Sequence, residues 1–583
     1  MTGRERGNSL NSPGGASAVA DDERRLRLDD ARKQVMETGR NRLLMAGALF
    51  GLVFLVVAGR VGYVTVVKQG NEPRLADAAP STSWQAERAD IVDRNGVLLA
   101  TSLATASLYA NPRHVLDAEE AAAKLTRALP ELSRADVLGK LTSARSFVWL
   151  RRHLTPRQQY AVNRLGIPGL YFQREERRVY PHGRLAPHVL GFAGIDNKGL
   201  AGVEKSFDEV LRGGTKPLVL SLDVRLQHLL RQELRAAMVN FRALGAAGII
   251  LNAHTGEVAA LVSLPDFDPN NPGAQPPNAR FNRSTLGVYE MGSTFKIFTL
   301  AMALDSGAVT LRGGYDASKP IRIARFLIND FKPKNRWLSV PEIFMYSSNI
   351  GAAKMALDVG TREQKRYLGK LGFLSPARIE LPEVGPPIVP HPWRDINTMT
   401  IGFGYGLAVS PLQLAVASAA VVNGGILRPA TLIKRMPGDK DRGVRVLSAR
   451  TSAQMCRLMR LVVERGTGRK AAALGYLVGG KTGTAEKTGG RGYRRKARLS
   501  SFVGAFPMTE PRYVVLAVLD EPQGTKQTLG YATGGWVAAP IVGRTIRRLG
   551  PILGIAPLDE NLPAIRRKMF VEINPWRRRV ASF

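Results

Sequence analysis

Residues 479–489 read GGKTGTAEKTG, and the fold turns on how this stretch is taken. Lys-Thr-Gly occurs in it twice, at Lys481–Gly483 and at Lys487–Gly489. The first copy follows an apolar run, YLVGG, whose two glycines allow a second backbone or a ligand to approach closely. That context predicts a strand edge carrying Lys481, Thr482, Gly483 and Thr484, with backbone N–H groups facing outward. The second copy opens GGRGYRRKAR, a glycine-rich basic stretch without a strand's alternation, and reads as solvated loop. A lysine, a hydroxyl and a glycine on a strand edge suit an anionic substrate, so Lys481 is the candidate and Lys487 is not.

Downstream of the basic loop, LSSFVGAFP and RYVVLAVLD read as two further strands. Far upstream, LVLSLDVRLQHLLRQELRAAM from Leu218 reads as a short strand feeding an amphipathic helix. AAGIILNAHTGEVAALVS then reads as two strands joined by the His254–Gly256 turn. VYEMGSTFKIFTLAMALDSG is a helix with Gly292 before its start and Gly307 near its end, and Ile401 to Val422 is also helical in pattern. The expected fold class is mixed α/β, with an antiparallel sheet flanked by helices over residues 218–549. No internal repeat at solenoid periods is visible.

Residues 68–217 differ in composition. RADIVDRNGVLLATSLATASLYANP (88–112) suggests a β-hairpin around the Asn95-Gly96 turn. Residues 117–165 place Ala and Leu at three- and four-residue steps and read as helical, and REERRVYPHGRLAPHVLGFAG returns to extended structure. This stretch carries no catalytic cluster and is expected to be a separate, non-catalytic domain.

Leu43 to Gly59 is an uncharged apolar run, and after Arg60 the apolar character continues to Val67. A helix needs roughly 20 residues to cross the hydrocarbon layer, so 43–67 suffices, with Arg60 snorkelling to the headgroups or pairing with a partner helix. The 42 residues ahead of the run and the missing Ala-x-Ala site favour an anchor over a cleaved signal. Arg32, Lys33, Arg40 and Arg42 just before the span predict an N-terminus in the cytoplasm, with the residues beyond the span outside. Residues 1–42 read as a largely disordered tail.

The chain of 583 residues carries a formal charge of +35, which draws it to polyanions in general. The Arg residues are spread along the whole chain without a nucleic-acid-binding motif, and the exterior placement argues against a nucleic-acid substrate. One cysteine, Cys456, excludes an internal disulfide, and the scattered histidines, His182 and His188 included, predict no metal site. The basic stretch Arg566 to Arg579, within 550–583, reads as a solvated terminus.

Two more short motifs carry chemistry. Ser293-Thr-Phe-Lys296 is the chain's one Ser-x-x-Lys, and at i, i+3 the amine shares a helix face with the hydroxyl. A hydroxyl near its free pKa is a poor nucleophile, and a buried lysine close to another cation can be the base it needs. Ser347-Ser-Asn349 comes 54 residues later, with Ser347 able to relay a proton and Asn349 able to hold a substrate amide.

In this order, Ser293/Lys296, Ser347/Asn349 and Lys481-Thr-Gly-Thr484 resemble the penicillin-binding proteins and serine β-lactamases. RADIVDRNGVLLA, GVEKSFDEVLRG (202–213), HTGEVAALVSLPDFDPNNP, YGLAVSPLQLA and SSFVGAFPMTEPRYVVLAVLDEP resemble the monofunctional class B penicillin-binding proteins in particular. SSN and KTGTAEK are more similar to the division-specific type (penicillin-binding protein 3) than to the elongation type. Two positions depart from the pattern: Ala89 stands for the usual Gly, and Met291 for a common Pro.

The resemblance implies a single membrane helix, an elongated α+β pedestal and a transpeptidase domain. It implies a serine D,D-transpeptidase that crosslinks peptidoglycan stem peptides at the division septum and is acylated by β-lactams. Ser293 would be the nucleophile and Lys296 its base, with Ser347 and Asn349 completing the catalytic group. Lys481, Thr482, Gly483 and Thr484 would bind substrate, and no cofactor is implied. A membrane glycosyltransferase and other division proteins would be partners at the inner membrane. The rivals are an elongation-type transpeptidase, a β-lactamase, which the pedestal and anchor disfavour, and a septal scaffold acting through residues 1–225.

Overall fold

In the computed structural model, residues 44–63, 88–323, 326–436, 438–440, 443–489 and 492–573 are described. The readings of residues 1–42, of the span's last residues 64–67 and of the basic residues after 573 lie outside them. Helix α1, Leu44–Gly62, spans 19 residues of mean hydropathy 2.2, long and apolar enough to cross a membrane once. It belongs to a unit of its own, Met1–Trp84, and the remainder, Gln85–Phe583, is a second unit.

In the second unit the hairpin around Asn95-Gly96 forms. β1 (Ile91–Val92) pairs antiparallel with β2 (Leu98–Ala110), and Gly96 adopts φ 85° at the turn. Asp93 organises the turn, accepting from the backbone N–H of Asn95 and of Val97 at 2.7 and 2.9 Å. Helices α2 (Ala118–Ala128) and α3 (Arg134–Leu141) come next. The helical reading of 117–165 then fails at β3, Val148–Leu154. Its β-branched and aromatic start, Val148 and Trp149, pairs with Ala110 and Tyr109 of β2, and that cross-strand packing outweighs the Ala/Leu spacing around it. After α4 (Pro156–Asn163), β4 (Leu170–Val179) pairs along the whole of β2's second part.

A buried ion network ties this sheet to the segment 204–208. Arg88 donates to Glu204 at 2.5 Å and to Asp208 at 2.7 Å, and Arg178 donates to Glu204 at 2.7 Å. Removing any one partner would strand a buried charge. Ala89 is buried here with ordinary negative-φ backbone, so the alanine is accommodated without strain. β5 (Leu218–Val219) pairs in parallel with β1, and Asp93 accepts from Val224 N at 3.1 Å at the start of α5 (Val224–Asn240).

The larger sheet runs β8-β9-β10-β6-β7, all antiparallel. Its members are β6 (Gly245–Asn252), β7 (Val258–Leu264), β8 (Gly479–Gly489), β9 (Gly492–Phe506) and β10 (Tyr513–Asp520). β6, β7 and β10 are apolar almost throughout because both faces are covered. Ile249, Leu251, Val514 and Leu516 enter one core with α6 (Lys296–Asp305). Ala246, Ile250, Val515 and Ala517 enter another with α5. Strict alternation in register sends neighbours to opposite cores.

Three further readings need correction. α9 (Asp395–Phe403) and α10 (Pro411–Val422) replace the continuous helix over Ile401–Val422. Gly404 and Gly406, at φ 99° and 83°, end the first, and Ser410 caps the second in a reciprocal capping box with Gln413. The second Lys-Thr-Gly is not loop, since β8 runs to Gly489 and β9 resumes at Gly492. The stretch Pro563–Met569 is a helix whose Ile565 and Met569 pack on the main core, so this part of the C-terminal region is docked rather than solvated.

Candidate active site

Gly292 to Phe295 form a tight 3-10 turn that leads into α6, with Met291 as the preceding residue at φ −88°. Methionine takes this backbone without strain, and it is buried. Gly292 sits at φ 55°, and a Cβ there would lie 2.6 Å from the Thr484 carbonyl oxygen. Only glycine lets the turn press against β8, which is how Ser293 is brought beside the Lys-Thr-Gly strand. One turn on, the Lys296 amine lies 3.1 Å from Ser293 Oγ.

The second motif falls between two helices. α7 (Val340–Tyr346) ends at Ser347, which takes the left-handed conformation at φ 65°, ψ 44°. α8 (Asn349–Val359) starts at once, capped by Ser348, which accepts from Gly351 N at 3.0 Å. A serine in left-handed backbone is strained, and such residues cluster at functional sites. The result lets two lysine amines reach the Ser347 hydroxyl. The Lys296 amine donates to the Ser347 carbonyl at 2.7 Å, contacts its Oγ at 3.2 Å, and donates to Asn349 Oδ1 at 2.7 Å.

Lys481 arrives from β8, the edge strand of the sheet, 134 residues away in sequence. Its amine donates to Ser347 Oγ at 2.9 Å and reaches the Thr482 carbonyl at 3.4 Å. Thr482 Oγ1 lies 2.8 Å from Thr467 Oγ1, and Thr484 Oγ1 accepts from Gly534 N at 3.0 Å. At Gly483 a Cβ would come within 2.6 Å of the Met291 carbonyl oxygen, so the strand and the Ser293 turn are in direct contact. Ser293, Lys296, Ser347, Asn349 and Lys481 thus share one hydrogen-bonded chain, with Thr482–Thr484 continuing along its edge.

The electrostatics are set by burial. Lys296 is 2% exposed, and loss of water lowers its pKa to about 7, against the opposing charge of Asp330. Lys481 is fully buried and is held well below the usual lysine range, first by burial and then by the charge of Lys296. A neutral amine 3.1 Å from a hydroxyl can take its proton, and a hydroxyl bridging two amines can pass one on.

Among the described residues no group of His, Cys, Asp and Glu gathers to hold a metal ion. His188 is buried with Nε2 2.8 Å from the Ala279 carbonyl, and burial pushes its pKa down to about 4. Sequence reasoning passed over Asp330, Thr467 and Gly404. Gly404 carried a usable signal: a Cβ there would lie 1.8 Å from the Gly292 carbonyl oxygen, so a glycine-rich break in a helical pattern marked the contact. Asp330 carried none.

Two family descriptions match the chain: "Penicillin-binding Protein dimerisation domain" over residues 83–224 and "Penicillin binding protein transpeptidase domain" over residues 246–547. The probable peptidoglycan D,D-transpeptidase FtsI of Caulobacter vibrioides is 41% identical over 529 residues, 88% of this chain and 89% of that protein. The peptidoglycan D,D-transpeptidase FtsI of Escherichia coli K12 is 31% identical over 564 residues, 89% and 92% of the two chains. The transpeptidase domain of penicillin-binding protein 3 from Burkholderia pseudomallei superposes with a TM-score of 0.53 at 33% identity, covering 59% of this chain and 98% of that one. Domain order, near full-length identity and the shared motifs agree: the chain belongs to the class B penicillin-binding proteins, of the penicillin-binding protein 3 type.

Proposed function

We propose that this protein is a peptidoglycan D,D-transpeptidase working through an acyl-enzyme on Ser293. The observation that carries this reading is the unbroken hydrogen-bond chain from Ser293 Oγ through Lys296 and Ser347 to Lys481. Neutral Lys296 takes the Ser293 proton as Oγ adds to the penultimate D-Ala carbonyl carbon of a stem pentapeptide. The carbon–nitrogen bond to the terminal D-Ala breaks, and the proton passes through Lys296 and Ser347 to the departing nitrogen. The amine of a neighbouring stem peptide then attacks the ester, its proton returns through Lys296 to Ser293 Oγ, and a 4→3 type crosslink remains.

Each remaining group has a place in this scheme. The backbone N–H groups of Ser293 and Thr484 hold the oxyanion, a contribution of about 3 kcal/mol per donor. The close approach of Gly292 to the Thr484 backbone supports that pairing. Lys481 and Thr482 bind the substrate carboxylate, and β-lactams use the same contacts. Asn349 holds a substrate amide. With α1 as a single membrane crossing, the catalytic unit works on the outer side of the inner membrane, at the division septum. Its glycan comes from a membrane glycosyltransferase met through residues 43–67 and the domain ahead of residue 218.

A fluorescent penicillin applied to membranes holding the full chain tests the nucleophile. The parent labels covalently, and Ser293→Ala does not. A Ser293→Ala protein that still labels covalently overturns the assignment, and a Ser293→Ala cell that divides normally replaces the enzyme by a scaffold.

A further inference from the structure

Asp330 stands 18 residues ahead of Ser348 in sequence and comes from a different segment, just past the short strand Phe326–Ile328. Nothing in its surroundings in sequence marks it. Yet the half of the site made by Ser347 and Asn349 is anchored on it. Ser348 Oγ donates to its carboxylate at 2.8 Å, Asn349 N at 2.5 Å and Ile350 N at 3.0 Å. The first N–H groups of any helix lack partners within it, and here a carboxylate takes two of them at the positive end of α8.

The neighbouring residue fixes the amide. Asn349 Nδ2 donates to the Asn329 carbonyl at 2.8 Å, which turns Oδ1 toward the Lys296 amine at 2.7 Å. Residues 329–330 therefore set both the start of α8 and the direction of the Asn349 side chain. We propose that Asp330 is a positioning residue for the acyl transfer: its carboxylate clamps Ser348, Asn349 and Ile350 and so holds the Asn349 amide oxygen and the Ser347 hydroxyl against Lys296. This rests on the Ser293/Lys296 reading and names a residue that reading does not use.

Charge adds a second consequence. Lys296 is faced by the Ser293 and Ser347 hydroxyls, by the Asn349 amide, by the amine of Lys481 across Ser347, and by the carboxylate of Asp330. Asp330 is the group that favours the protonated amine, against burial, which disfavours it. Removing its charge makes Lys296 easier to deprotonate, so the acid limb of the acylation profile moves to lower pH. A purely structural cap would slow acylation without moving that limb.

The test uses the full chain and a chromogenic cephalosporin, reading the second-order acylation rate from pH 5 to 9, with melting temperature as the control for folding. Asp330→Asn is expected to slow acylation on the order of a hundredfold at its optimum and to shift the acid limb to lower pH. Asp330→Glu keeps the charge and holds the limb in place while recovering part of the rate. Ser348→Ala removes the hydroxyl's contact with the carboxylate and its cap on Gly351 N without changing charge, and leaves the limb where it was. Parent-like acylation in folded Asp330→Asn overturns the proposal, as does slower acylation with an unmoved limb. If Ser293→Ala still acylates, the Ser293/Lys296 reading on which this rests falls. If Ser293→Ala is dead and Asp330→Asn is normal, only the role of Asp330 falls.

Discussion

Lys481 and Lys487 open two identical tripeptides on one strand, six residues apart, and the structure treats them as opposites. Lys481 is fully buried, with a serine hydroxyl and a backbone carbonyl for partners and no carboxylate among them. Lys487 is about a third exposed and lies 2.8 Å from both Asp520 and Glu521. A period of two would put both on one face of β8. The register breaks between Glu486 and Lys487, where Glu486 faces Arg498 but Lys487 faces Arg494. That irregularity releases the second copy from the cleft and delivers it to the end of β10. A buried cation left without an anion is costly to keep, which singles out Lys481 as the copy proposed above to meet the substrate carboxylate.

The largest effect should come from breaking this asymmetry at the site. Lys481→Ala is expected to slow acylation by a labelled penicillin about 10²–10³-fold, because on the proposed reading it removes the buried partner of the substrate carboxylate. Lys487→Ala should leave acylation within about threefold, since truncations at solvent-facing ion pairs act weakly and locally. Equal losses in the two variants would show that both copies serve the cleft and would end the distinction between them.

The two environments also predict opposite pH signatures. Burial depresses Lys296 to about 7, while an unfolded lysine titrates near 10.4. Between those values the unfolded chain binds the proton and the folded chain does not, so stability rises with pH across that window. Below about 7 both states are protonated and this contribution levels off. Lys481, also depressed, adds to the same rise. Lys487 is shifted upward, its burial outweighed by hydrogen bonds to Asp520 and Glu521. Its contribution is therefore complete at pH 7–9 and is lost only as pH climbs past the ordinary lysine range. Urea titrations at pH 7 and pH 9 should find the parent more stable at pH 9, with a smaller gain in Lys296→Met. A parent no more stable at pH 9 would contradict the depressed amines.

How much of the fold and site was readable in the sequence depends on the range of the contacts. Ser293 and Lys296 meet across one turn, so the spacing showed that the amine could reach the hydroxyl, while the resemblance gave the pair its weight. The sheet strands were readable because Ile249, Ile250 and their neighbours are apolar on both faces. Local pattern failed where a distant partner decided the outcome. β3 formed inside a helical run because β2 was waiting for it, and Lys487 left the loop class because Asp520 and Glu521 order it. Asp330 shows the limit most clearly. Its three donors lie across a gap of 18–20 residues that includes a strand and a helix, and an aspartate in a polar stretch looks the same whether it caps a helix or faces water. The motif resemblance supplied the grouping of Ser347 with Lys481, a pairing no local rule could reach.

The smallest expected effect gives the sharpest form of the comparison, because it asks for opposite signs from one substitution. Methionine matches the stem of lysine and carries no charge. At position 481 it would relieve the strand of an amine whose burial no carboxylate offsets, and Ser347 Oγ would keep its contact with Lys296. Replacing a buried, incompletely paired charge by an apolar group of similar shape is stabilising, here by about 1–2 kcal/mol. At position 487 the same change removes the cation between Asp520 and Glu521 and leaves two carboxylates facing each other. Discounted for the exposure of the lysine, that loss is about 0.5–1 kcal/mol, and it should shrink as salt screens the pair. Denaturant midpoints should therefore move up for Lys481→Met and down for Lys487→Met. A destabilised Lys481→Met would mean that the structure itself, and not the substrate, is what the buried amine serves.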